Sequence, residues 1–136
     1  MKKNKSQAVK KKSLDIYWSE LIKHIAGGAC EYCGEQKFLN SHHVFSRSNH
    51  SIRWDENNGV CLCAKHHVLG NWSAHKSPLE FAEWLIEKRG KEWYEELKSK
   101  SKEVVQDSKL EQREVFEKIK QRLGEYRLKE DRNENC

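Results

Sequence analysis

Cys30-Glu31-Tyr32-Cys33 and, thirty residues further on, Cys63-Ala64-Lys65-His66 are two ligand pairs of the same spacing. Two intervening residues let both side chains of a knuckle converge on one tetrahedral ion. Cys30, Cys33, Cys63 and His66 therefore predict a structural Zn2+ site of the Cys3His type. Cys61 competes for the corner given to Cys63, but only Cys63 stands two residues ahead of a second ligand, so Cys61 is read as a buried strand residue. Four protein ligands close a zinc site to chemistry. The same segment still holds His42, His43, His50, His67 and His75. One histidine from each adjacent pair, His42-His43 and His66-His67, is enough to begin a second, open metal site. Neighbours on a strand point to opposite sides, so His42 and His43 are expected to do different jobs.

The elements that must position these residues are short. Leu14, Trp18, Leu21 and Ile25 recur at helical spacing over 14–26, with Ser13 as N-cap and Gly27-Gly28 as the stop. Phe38-Leu39 and Val44-Phe45 predict a brief β-hairpin or ribbon, Val60 to Cys63 another extended piece, with a helix beginning near Ala64. Ser77-Pro78-Leu79-Glu80 is a helix start that runs to Gly90, with a capping serine and proline at the first helical position. A further helix is expected over 91–99 and a long polar one over 102–130. The long helix carries a narrow stripe of Val115, Ile119, Leu123 and Tyr126 that either packs on the domain or forms a homodimer with a second copy.

Composition sets the bounds. With 136 residues, 35% of them charged, the chain suits one domain with terminal extensions and a small core that a metal would help to stabilise. The division expected is a basic arm over 1–12, a metal-bearing domain over 13–100 and a helical extension over 101–136. The net charge of +5 comes from Lys2, Lys3, Lys5, Lys10, Lys11 and Lys12, which all precede the first acidic residue, Asp15. Such an arm suits a polyanion or serves as a solubilising tail. No apolar run resembles a signal peptide or a membrane span, so a reducing compartment and no membrane partner are expected. There, clustered cysteines read as metal ligands before disulfides.

In order and spacing, Cys30-x2-Cys33, His42-His43, Asn58-Gly59-Val60-Cys61-Leu62-Cys63 and His66-His67 resemble the HNH endonucleases over roughly residues 28–88. The resemblance implies an α+β fold, a small ββα-metal domain with a structural zinc, flanked here by helices and the long C-terminal helix. It implies a hydrolase that cuts DNA phosphodiester bonds. His43 matches the general base that activates water. Asn58 matches the residue that holds the loop and orients that histidine. His42 and His67 match the ligands of a catalytic divalent cation, Mg2+ or Mn2+, with Ni2+ or Zn2+ also admitted by a site that lacks carboxylates. His66 stands where the family more often has cysteine. Arg47, Arg53 and Lys65 are expected on the DNA backbone. His75 is left open between third ligand, phosphate contact and loop histidine. The stretch from Ser41 through Arg53-Trp54 to Asn58 is also similar to phage-encoded members that act in DNA recombination, which implies the cytoplasm of a bacterial or phage-infected host cell. The competing readings are a non-catalytic zinc module that binds nucleic acid and an adaptor that works through its C-terminal helix.

Overall fold

Leu14, Trp18 and Leu21 are buried as their spacing predicts, and they set the first of two small cores. In a computed structural model, residues 9–105 and 109–134 are described. Their helix, α1, spans Lys11–Ile25. It begins ahead of Ser13, which lies inside it without capping it, and Lys10 takes the cap position with no side-chain bond. Ile22 rather than Ile25 completes the buried face, because Ile22 and Trp18 lie where a Cβ on Gly59 would be, and only glycine lets the sheet come that close. Lys11 and Lys12 belong to this helix, while residues 1–8 of the basic arm lie outside the described residues.

The sheet is a two-stranded antiparallel ribbon of β1 (Leu39–His43) and β2 (Gly59–Cys63), paired from Leu39 opposite Cys63 to His43 opposite Gly59. The local hairpin expected between 38–39 and 44–45 does not form. Val44 and Phe45 open a long loop that the side chain of Asn58 gathers, so the strand partner is the segment after the loop. Every residue of β2 is buried. Cys61 faces the core built with α1, whereas Val60 and Leu62 join Phe81 and Leu85 in the second core. This is the alternation a strand covered on both faces should show.

After β2 comes one π-helical turn, Lys65–Leu69, shorter than the helix expected there. Helix α2 (Pro78–Arg89) starts on Pro78 and ends at Gly90, whose φ of 96° is in the left-handed region. Ser77 does not cap it with its hydroxyl, which donates instead to Asn71 O (2.7 Å). Helix α3 (Lys91–Ser101) follows directly. Helix α4 (Lys109–Glu134) begins later than its pattern suggested. Its Ile119 and Leu123 are buried in the α1 core, flanked by Val115, Phe116 and Tyr126. The apolar stripe is thus covered by α1, one of the two uses its pattern allowed. The architecture is α+β: among the described residues, four α-helices and two short helical turns surround one small sheet. Among the described residues no helix is long and apolar enough to cross a membrane.

Candidate metal centres

The Cys30–Gly34 knuckle is closed by backbone bonds, Gly34 N to Cys30 O (2.8 Å) and Cys30 N to Glu35 O (2.8 Å), with Gly34 at φ 81°. Glu31 docks the knuckle on the outer edge of β2. Its N–H donates to Cys61 O (2.9 Å), and its carboxylate accepts from Cys61 N (2.8 Å) and from Arg89 NH2 (3.0 Å). These contacts bring Cys30 and Cys33 to Cys63 at the end of β2 and to His66 in the π turn. Cys33 Sγ lies 3.8 Å from Cys63 Sγ, Cys63 Sγ 3.2 Å from His66 Nδ1, and Cys30 Sγ 3.9 Å from His66 Nδ1. Sulfur at about 2.3 Å and nitrogen at about 2.1 Å from one tetrahedral ion stand roughly 3.5–3.8 Å apart. Cys30, Cys33, Cys63 and His66 therefore fit a metal ion such as zinc. Tyr32, stacked on Trp72 at 4.1 Å, shields the His66 ring, and Trp84 meets Tyr32 edge-on. Burial pushes the Cys30 thiol up, but backbone N–H groups of Cys63, Cys33 and Tyr32 outweigh it and lower the pKa, toward the thiolate a metal requires. Cys61 is fully buried, outside this group, and burial raises its pKa to about 11. It remains a core thiol, as its place in the strand suggested.

His42, His67 and His75 form a second group whose ligand atoms lie within 4.8 Å of one another. His67 Nε2 and His75 Nε2 are 3.1 Å apart. Two imidazoles each about 2.1 Å from a shared ion, at roughly a right angle, take such a separation. His75 arrives because residues 70–75 double back on the π turn, with Ala74 N donating to His66 O (2.9 Å) and His75 N to His67 O (3.2 Å). No sequence spacing signals this approach. Burial, then the like charges that His67, His75 and His43 would carry, push His42 down to about 3, and burial and His75 lower His67. Bare imidazole is the form that binds metal. Among the described residues no carboxylate joins this group.

His43 points to the other face of β1. Its ring stacks on Trp18, centroids 3.9 Å apart and planes 10° apart, and its Nε2 lies 2.9 Å from Arg53 O. A carbonyl only accepts, so Nε2 carries the proton and the neutral ring has its lone pair on Nδ1. Burial lowers its pKa and favours that neutral ring. Asn58, fully buried, ties the loop: Oδ1 accepts from Phe45 N (2.7 Å), and Nδ2 donates to Phe45 O and to Ile52 O (both 3.1 Å). It does not bond His43; it fixes the loop whose Arg53 carbonyl does.

Arg53 was expected on phosphate, but its guanidinium is committed within the chain. Nε and NH2 donate to the two carboxylate oxygens of Asp15 at 3.2 and 2.8 Å. Trp54 Nε1 donates to the same carboxylate (2.8 Å). Asp15, which no motif marks, is thereby the anchor of the loop that holds His43. Arg47 and Lys65 are exposed. Arg47 lies in the loop after β1 and Lys65 in the turn that carries His67.

Comparison of the chain with protein-family models, with curated proteins and with solved structures finds no match to any of them.

Proposed function

We propose that this chain is a metal-dependent endonuclease of the HNH type, in which the cysteine-rich group holds structural zinc and the histidine trio holds the working ion. The observation that carries this reading is the pair of consecutive histidines on β1: His42 joins the trio on one face, while His43 on the other has its Nε2 proton occupied and Nδ1 bare. Phosphodiester hydrolysis needs such a division between charge relief at phosphorus and removal of a proton from water. His42, His67 and His75 would hold a divalent ion, which when bound would supply the first. Three imidazoles leave room for phosphate oxygens and weight the choice toward Mn2+, Ni2+ or Zn2+ over Mg2+. His43 Nδ1 takes the water proton, and Trp18 and the Arg53 carbonyl hold the ring in plane. Asn58 and Asp15 are positioning residues that act through the loop. Arg47 and Lys65 offer charge to the DNA backbone, whereas Arg53 serves the loop.

Plasmid nicking or linearisation by the full chain, in Mg2+, Mn2+, Ni2+ or Zn2+, tests the proposal. His43→Ala is expected to fold, keep its zinc and lose about 100-fold or more in rate, the scale of a general base. Cleavage at the wild-type rate by that variant would overturn the mechanism.

A further inference from the structure

At the far end of the ribbon from His43, Phe38 presents a largely exposed aromatic side chain. Its side chain is 81% exposed, and it is the single non-glycine residue at positive φ (56°) among the described residues. A bulky side chain pays for a left-handed backbone, a conformation that asparagine or glycine would hold at less cost. Burial does not repay Phe38, since its ring is in solvent. Strain kept without a packing return is a mark of a working position.

Its surroundings state the chemistry. Phe38 borders a hollow of about 420 Å3 beside the cysteine-rich group, and Lys37, Lys65 and Glu35 line it together with Cys33, Cys63, Ala64 and His66. Neither lysine ammonium has a side-chain or carbonyl partner among the described residues. The acidic residue is partly occupied, because Glu35 Oε1 accepts the backbone N–H groups of Gln36 (2.9 Å) and Lys37 (3.0 Å). The strand register places Phe38 just beyond the pair Leu39–Cys63, so it lies opposite the start of the turn that carries Lys65 and then His67. Asn40, exposed, lies between Phe38 and His42 on the His42 face of β1. At about 3.3 Å per residue, Leu39, the strand residue next to Phe38, stands roughly 10 Å from His42 along β1.

We propose that Phe38, with Lys37 and Lys65, forms a subsite for an unpaired nucleotide of the DNA strand. The ring stacks on the exposed face of one base, and the two ammonium groups take the phosphates on either side. Aromatic side chains interleaved with cations are the general means of holding single-stranded nucleic acid, and a base inside an intact duplex has no free face to offer. This reading rests on the nuclease assignment of that trio and adds to it a substrate class: DNA with unpaired nucleotides beside the cut, such as a tail, flap or gap.

The test is binding of the full, zinc-loaded chain to a blunt duplex and to the same duplex with a single-stranded tail, with Ca2+ in place of a cleavage-supporting metal. The tail carries 2-aminopurine, whose fluorescence falls on stacking. Wild type is expected to prefer the tailed DNA and to quench the probe. Phe38→Ala, a change at a solvent-facing side chain, should lose about 5- to 100-fold in affinity for the tail, lose the quenching and bind the blunt duplex within twofold of wild type. Phe38→Tyr should restore both. Equal affinity of wild type and Phe38→Ala for the tailed DNA, or quenching unchanged in that variant, overturns the subsite. Cleavage is read in parallel with Mn2+. Loss of tail binding in Phe38→Ala by a chain that cuts no DNA sustains the subsite and removes the nuclease reading. A chain that cuts tailed and blunt DNA alike, with or without Phe38, does the reverse.

Discussion

Replacing Asn58 separates a loop clasp from a group that takes part in the chemistry directly. The side chain makes three hydrogen bonds, all to backbone and all inside the protein: one accepted from Phe45 N and two donated to Phe45 O and Ile52 O. At about 0.5–1.5 kcal/mol net for each, Asn58→Ala should cost about 3 kcal/mol, since it leaves a donor and two acceptors to find water. For a domain of this size that is a fall of about 10 °C in Tm at fixed zinc concentration. Asn58→Asp has nearly the same shape, and its carboxylate can still accept from Phe45 N, but it turns an oxygen toward the two carbonyls that received N–H groups. Burial and those carbonyls raise the new carboxyl's folded pKa above the unfolded value of about 3.9. The native state then binds more protons than the unfolded state, so stability falls as pH rises through that window. Urea denaturation from pH 5.5 to 8, each variant measured against wild type, reads both effects. The deficit of Asn58→Asp should grow with pH while that of Asn58→Ala stays level. A loss under about 1 kcal/mol in Asn58→Ala would refute the clasp.

The remaining predictions concern the metal, the anchor and the last helix. Elemental analysis of Cys63→Ser should show loss of the structural zinc together with thermal stability, while Cys61→Ser keeps it; the opposite pattern would reassign the fourth ligand. Asp15 is pushed up by burial but held low overall by hydrogen bonds from Arg53 and Trp54. It adds stability that is present at neutral pH and lost as pH falls through its depressed folded pKa. Asp15→Asn should therefore be destabilised at pH 7, with a gap from wild type that narrows on acidification; a gap independent of pH counts against the pair. The same variant should slow cleavage, because Arg53 O would no longer be held for His43. Leu123→Ala removes a fully buried side chain between α4 and α1 and should cost about 2–4 kcal/mol in urea denaturation. A cost below about 1 kcal/mol would mean that α4 does not rest on α1.

The cysteine-rich group that could hold a metal ion and much of the helical frame are legible in the chain. Cys30, Cys33, Cys63 and His66 are legible because a tetrahedral ion imposes a spacing on the residues that bind it, whatever the rest of the chain does. Leu14, Trp18 and Leu21 are legible because a helix repeats its inward face every three or four residues. Pro78 and Gly90 mark α2 because their backbones admit little else at those positions. Tertiary structure alone decided the rest. The partner of β1 follows from where Asn58 closes a loop, which hydrophobic alternation does not encode. His75 meets His67 because a segment doubles back, and Asp15 reaches Arg53 because α1 packs on the ribbon. The stripe on α4 had two equally good uses by pattern, since an apolar face is indifferent to which apolar surface covers it; within the chain, Ile119 and Leu123 pack on α1. Phe38 shows the same division. Its type was visible in the chain, but its strained backbone and its place in one hollow with Lys37 and Lys65 appear only when the knuckle and the π turn meet at the end of the ribbon.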